Sequence, residues 1–116
     1  MNTTEQRRPW QTAVLIALDE KTAKEAIRVL RALTLDPVEA AGVADALERI
    51  VAHQPALVVA AAVIEEKSGE ILRERAIAVG AELVWLERGM HRIHIAERLA
   101  TAASKATERR AAQGGA

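Results

Sequence analysis

Short apolar runs alternate along the chain with longer segments that have helical periodicity. Residues 13–18 (AVLIAL) and 57–64 (LVVAAAVI) are continuously apolar, as is typical of strands buried on both faces of a sheet. Residues 38–41 predict a short strand, and residues 82–86 (ELVWL) predict another. The apolar pattern therefore indicates strands separated by segments of a different period.

The segments between these runs carry apolar residues at the spacing of an amphipathic helix. The predicted helices cover residues 20–35, 43–53, 68–79 and 90 to about 105. Asp19 is placed to cap the first helix, Ser68 to cap the third, and Gly80 to end the third. Strands that alternate with helices predict a parallel sheet covered by helices on both faces, which is a three-layer α/β sandwich.

The length of 116 residues fits one domain with one core. We expect a flexible lead at residues 1–11, a single domain at 12–105 and a disordered polar tail at 106–116. Sixteen acidic and sixteen basic residues cancel, so net charge provides no general attraction to nucleic acid or to an anionic membrane. The chain has no cysteine, no apolar signal segment and no run long enough to span a bilayer, so we expect a cytoplasmic protein.

Three stretches of the sequence resemble a known family in order and in spacing. These stretches are VLIALDE (residues 14–20), EAAGVADALERI (39–50) and PALVVAAAVIEEKSG (55–69). They are similar to the motifs of the receiver domain of two-component response regulators. The resemblance covers residues 13–80 without an insertion and weakens afterwards. It implies a flavodoxin-like, or CheY-like, fold with functional residues at the carboxyl ends of the strands.

The resemblance also implies that the phosphorylation chemistry of the family is lost. Ala61 stands at the position of the phosphate-accepting aspartate, and a methyl group accepts no phosphoryl group. The acidic pair that would bind magnesium is replaced by Leu18 and Asp19, so one ligand is missing. The conserved hydroxyl residue of the family falls on Leu86 or Glu87, and no lysine matches, unless Glu87 occupies its place. The chain therefore resembles a pseudo-receiver, with no enzymatic activity and no cofactor.

Receivers have five strand–helix units, whereas this sequence predicts four. If the last unit is the one missing, the strand order is 2-1-3-4 and residues 82–86 form an edge strand. An apolar edge strand that contains a tryptophan favours pairing with another chain. We therefore expect a homodimer, or a regulatory protein partner, bound through the last strand and helix. The predicted contact residues are Trp85, Leu86, Met90, Ile93, His94 and Glu97.

A second interpretation is a small flavodoxin-like domain that binds a ligand or metal at the strand ends near Asp19, Ala61 and Glu87. Asp19 with Glu20 would form a poor metal site, and helix capping explains Asp19 at least as well. His91 and His94 lie at helical spacing, but they lack enough accompanying ligands for a strong zinc prediction.

Overall fold

The computed structural model describes residues 11–114 of the chain. Four strand–helix units follow one another, in agreement with the sequence prediction. In chain order the elements are β1 (Thr12–Ile16), α1 (Glu20–Ala32), β2 (Asp36–Ala40), α2 (Val43–His53), β3 (Leu57–Ala61), α3 (Glu66–Ala78), β4 (Glu82–Leu86) and α4 (Arg92–Gly114).

The four strands form one parallel sheet with the order β2-β1-β3-β4, so the predicted order is confirmed. Helices α1 and α4 pack together on one face of the sheet, and α2 and α3 pack together on the other. This arrangement is a flavodoxin-like α/β fold with three layers. Strand β4 is at one end of the sheet, and within residues 11–114 only its inner edge pairs with another strand.

Side chains of successive strand residues point to opposite faces, and this alternation divides the core into two clusters. Leu15, Leu57 and Leu86 face α1 and α4, whereas Val14 and Val58 face α2 and α3. Both central strands are fully buried over their length. Their continuous apolar runs reflect this burial on both faces, which is why alternation was absent from those parts of the sequence.

The helix ends explain several of the predicted boundaries. Asp19 caps α1 as predicted, because its carboxylate accepts a hydrogen bond from the Thr22 N–H at 3.2 Å. Gly80, with φ of +78°, follows the last turn of α3 and lets Ala81 bond back into the helix, so this prediction is also confirmed. The corresponding position after α1 is held by Thr34, with φ of +61°, which is a strained conformation for a β-branched residue.

Several predicted boundaries differ from the structure, including the end of α1 at Ala32 rather than at residue 35 and the start of β2 at Asp36 rather than at residue 38. Strands β1 and β3 end at Ile16 and Ala61, before the apolar runs end, because the remaining apolar residues form the loops at the top of the sheet. Ser68 does not cap α3, since the helix begins at Glu66, and the Ser68 hydroxyl instead lies within the first turn, 3.5 Å from the Glu65 carboxylate.

The largest difference lies at the carboxyl terminus. Helix α4 continues to Gly114, so the prediction of a disordered tail is wrong for residues 106–114. Ala106 is buried against the core, and Arg109 forms an ion pair with Glu82. These contacts anchor a segment that looked polar in the sequence.

The predicted flexible lead falls almost entirely outside the described residues. None of the helices within residues 11–114 has the length and apolar character needed to cross a bilayer.

Candidate functional site

The carboxyl ends of β1, β3 and β4 lie at the same edge of the sheet, where the resemblance placed the degenerate phosphorylation site. Apolar side chains fill this region. Ala61 at the end of β3 and Leu86 at the end of β4 are both buried, and Leu18 packs against the α1–α4 side of the core. The N–H of Ala62 donates to the Leu86 carbonyl at 2.9 Å, which links the two strand ends. The structure thus brings these positions together without a nucleophile among them.

The acidic residues near this edge are engaged in local structure or exposed to solvent. The hydrogen bond from Thr22 lowers the pKa of Asp19, and the positive charge of Arg88 acts in the same direction. Glu20 pairs with Lys24 at 3.6 Å on the surface of α1, and Glu87 is exposed. Within residues 11–114, no group of three or more carboxylate, histidine or cysteine side chains is arranged to hold a metal ion. The observed geometry favours the capping role of Asp19.

His91 and His94 lie at the start of α4, with their ring centroids 6.2 Å apart. Both side chains are exposed, and the Nδ1 atom of His91 accepts a hydrogen bond from the backbone N–H of Ile93 at 3.1 Å. This contact makes His91 a local cap for the first turn of α4. His91 therefore has a structural role that needs no metal.

The outer edge of β4 has a different character, because its backbone polar groups face away from the sheet. Glu82 donates to Ala56 on the β3 side, and Leu86 accepts from Ala62 on the same side. By alternation, both polar groups of Leu83 and of Trp85 point outward. Within residues 11–114, only the Trp85 carbonyl among these four groups accepts a hydrogen bond.

Three arginines of α4 reach the backbone of β4 and of the turn before it. The Arg98 guanidinium donates to the Trp85 carbonyl at 2.7 Å, and Arg109 donates to the Ala81 carbonyl at 3.3 Å. Arg110 donates to the Val79 carbonyl at 3.4 Å. Arginine contacts of this kind protect the ends of an edge strand against indiscriminate pairing. Between these contacts the edge remains uncovered by the described residues.

Trp85 faces α3 and is partly buried there. A Cβ atom added at Gly69 would lie 3.2 Å from Cη2 of Trp85, so the glycine makes room for the indole ring in the first turns of α3. The absence of a side chain at Gly69 is therefore matched to Trp85. A charged residue in place of Trp85 would therefore disturb the packing of the monomer itself.

The remaining predicted contact residues divide into two groups. Leu86 is buried and not available to a partner, whereas Met90 is partly buried against the same core cluster. Leu86 lies on the opposite face of β4 from Trp85 and packs on the α1–α4 side of the sheet. Ile93, His94 and Glu97 are exposed on α4. Ile93, His94 and Glu97 stay predicted contact residues that are accessible in the structure, whereas Leu86 is inaccessible to a partner.

A groove of about 350 Å³ runs between the outer edge of β4 and α4. Its lining consists of Glu82, Leu83, Val84, Trp85, Glu97, Arg98, Thr101, Ala102 and Lys105. Of this set the sequence prediction named only Trp85 and Glu97, and the residues that it missed include Leu83, Arg98 and Lys105. Leu83 shares a face with Trp85 at strand spacing, and Lys105 follows Glu97 by two helical turns, so both signals were present in the pattern. We call the outer edge of β4 together with this groove the edge surface.

No protein-family model matches this chain, and no curated protein matches it significantly.

Proposed function

We propose that the protein is a pseudo-receiver that acts as a protein–protein interaction module, independently of phosphorylation, in bacterial signalling or regulation. The edge surface is the part of the molecule that makes the contact. The observation that carries the proposal is the outer edge of β4, where both polar groups of Leu83 and the N–H of Trp85 meet no partner within residues 11–114.

The chemistry of the strand ends supports independence from phosphorylation. Ala61 holds the position at which a phosphate acceptor would stand, and the surrounding positions are apolar. Asp19, the carboxylate that follows β1 at this edge, is committed to the first turn of α1. A phosphoryl group would find neither an acceptor oxygen nor a magnesium site of the kind that phosphoryl transfer requires.

The physical chemistry of an edge strand supports the interaction role. Outward N–H and C=O groups offer a template to which another strand adds main-chain hydrogen bonds. The flanking groove supplies apolar contacts from Leu83 and Val84, together with charges of both signs from α4. A surface with free backbone groups, apolar side chains and mixed charge has the composition expected of a protein interface.

The test is the self-association of the wild type compared with a Leu83→Pro variant, measured by light scattering after size exclusion over a concentration series. Proline removes the outward N–H at position 83 and leaves the bonds between β4 and β3 intact, because those involve the alternate residues. We expect the wild type to associate and Leu83→Pro to remain monomeric with an unchanged circular dichroism spectrum.

The control for Leu83→Pro is Val51→Lys, a substitution at an exposed apolar residue away from β4. Lysine is used rather than proline because a proline at position 51 would break α2. Val51 is 51% exposed on α2, which follows β2, and β2 and β4 are at opposite ends of the sheet. This variant should associate as the wild type does. Equal association of Leu83→Pro and the wild type would show that the edge of β4 is not the interaction surface. A monomeric wild type would exclude self-association and leave a different protein as the partner, which should bind the wild type and not Leu83→Pro.

A further inference from the structure

We infer that the partner at the edge surface is a second copy of this chain, whose β4 pairs antiparallel with the first about a two-fold axis that passes beside Val84 and Thr101. This inference rests on the proposed function and specifies its partner and geometry. It follows from which backbone groups are free, from where α4 lies along β4, and from the order of charges on α4.

The available backbone groups select one register. The Ala81 carbonyl is occupied by Arg109, and the Glu87 carbonyl accepts a hydrogen bond within its own turn. Both of these residues lie outside β4, so pairing along the strand uses the outward groups of Leu83 and Trp85, although the Trp85 carbonyl also accepts a bond from Arg98. In an antiparallel pair, every second pair of opposite residues exchanges two hydrogen bonds. Placing Leu83 of each copy opposite Trp85 of the other uses all of these outward groups.

This register is self-complementary, as a two-fold interface requires. Leu83 faces Trp85 twice, once on each side of the axis, and Val84 faces Val84 of the second copy. The paired Leu83 and Trp85 side chains lie on the α3 face of the sheet. Aromatic–aliphatic pairs of this kind stabilise neighbouring strands. The Trp85 carbonyl already accepts a hydrogen bond from Arg98, so the new bond forms once the Arg98 side chain moves aside.

Two contacts fix how α4 lies along β4. Arg98 reaches the Trp85 carbonyl, and Arg109 reaches Ala81 at the other end of the strand. Helix and strand rise about 1.5 Å and 3.3 Å per residue, so the helix position level with the middle of the strand is close to Thr101. Thr101 and Val84 line the same groove, as this estimate requires. The axis that passes beside Val84 therefore also passes beside Thr101.

The charges of α4 are arranged symmetrically about Thr101. Glu97 and Lys105 lie four residues before and four residues after it, and both line the groove. In an antiparallel pair of α4 helices centred on Thr101, Glu97 of each copy faces Lys105 of the other. His94 and Glu108, both exposed, are likewise equidistant from Thr101. At both distances from Thr101, an acidic residue of one copy thus faces a basic residue of the other. This charge complementarity favours a second copy of the chain over an unrelated surface.

The test uses charge reversal at the two groove residues. Glu97→Lys alone places two lysines opposite each other on both sides of the axis, and Lys105→Glu alone places two glutamates there. Each variant should associate about tenfold more weakly than the wild type, because attraction becomes repulsion twice in each dimer. An equimolar mixture of the two variants restores both attractive pairs, so it should form a heterodimer with about the wild-type affinity. Analytical ultracentrifugation measures the three cases at equal total concentration.

A second measurement uses the absence of cysteine from the chain. Thr101→Cys places one thiol beside the axis on each copy, and we expect a disulfide-linked dimer under mild oxidation. Ser104→Cys, at a similarly exposed site on the same helix but off the axis, is the matched control and should cross-link more slowly. Both substitutions are at exposed positions, so neither should prevent folding.

The outcomes separate this inference from the proposed function. Recovery of affinity in the mixture, with faster cross-linking at position 101, would support the two-fold arrangement. If Leu83→Pro abolishes association but the mixture is no tighter than either variant alone, the edge surface is used in another geometry and the inference is overturned. A wild type that stays monomeric at millimolar concentration also overturns it, whatever other protein the surface binds.

Discussion

Removal of the residues after Lys105 should destabilise the domain, although the sequence pattern of this segment suggested a disordered tail. In the structure, the removed segment contains Ala106, which is 2% exposed, and two arginines that reach the main chain near β4. A segment without structure would contribute nothing to the free energy of unfolding. The truncation therefore distinguishes an anchored helix from a frayed one.

The expected loss follows from the individual contacts. Burial of the Ala106 methyl group contributes about 0.8 kcal/mol. The ion pair of Arg109 with Glu82 is partly exposed, with Arg109 at 41% and Glu82 at 16%, and contributes about 0.5–1 kcal/mol. The hydrogen bonds from Arg109 and Arg110 to main-chain carbonyls are long, at 3.3 and 3.4 Å, and add about 0.5 kcal/mol each. Together the loss is about 2–3 kcal/mol.

Urea unfolding monitored by circular dichroism at a low protein concentration, where the chain is monomeric, measures this loss. The control is a truncation after Ala112, which keeps all of these contacts and should unfold at the urea concentration of the full chain. A chain ending at Lys105 that is destabilised by less than about 0.5 kcal/mol would refute the anchoring argument, because even the buried methyl group should exceed that value.

Four further outcomes are expected. Ala61→Asp should not permit phosphorylation by acetyl phosphate with magnesium, as judged by intact mass, and should destabilise the fold by about 1–3 kcal/mol because it places an unpartnered carboxylate at a buried position. Asp19 and Asp45 accept backbone hydrogen bonds that contribute to lowering their pKa values in the folded state. The two carboxylates therefore stabilise the folded state above about pH 3.9, and this contribution is lost as the pH falls below that value. The free energy of unfolding, measured from about pH 3 to 6, should depend less on pH in a variant with both residues changed to asparagine. Thr34→Gly should stabilise the domain by about 1 kcal/mol in urea unfolding, since glycine adopts the positive φ without strain, and no gain would contradict the strained conformation. Arg98→Ala should tighten self-association by about fivefold in ultracentrifugation, because the Trp85 carbonyl no longer has to give up a partner, and weaker association would show that Arg98 contributes to the interface.

The alternation of strands with helices could be predicted from local patterns, whereas the order of the strands followed from the resemblance to receiver domains. Continuous apolar runs mark strands buried on both faces, and capping residues such as Asp19 and Gly80 act over only a few positions. These signals are local in sequence, so they can be recognised without knowledge of the tertiary contacts. The same holds for the apolar positions at the strand ends, which the resemblance located at Ala61 and Leu86.

Features that depend on contacts distant in sequence were not predictable in this way. The extension of α4 depends on Arg109 reaching Glu82, a residue 27 positions earlier, and its local sequence is rich in alanine and charge in the manner of a solvated tail. The packing of Trp85 against α3 depends on space left by Gly69, and nothing in the sequence around Gly69 identifies Trp85 as its partner. In both cases the determining partner lies in another element, and periodicity within one element does not identify it.

The edge of β4 is short, and its ends are closed by arginine contacts, which restricts what can pair with it. Arg109 occupies Ala81 at the start of the strand, and Arg98 shares the Trp85 carbonyl near its end. Only a partner that matches the short interval between them gains hydrogen bonds without leaving other groups unpaired. A long, uniformly open edge would accept many registers and favour aggregation. The short free stretch of β4 instead favours one register. A second copy of the chain offers a free stretch of the same length, so the two can pair without leaving other groups unpaired.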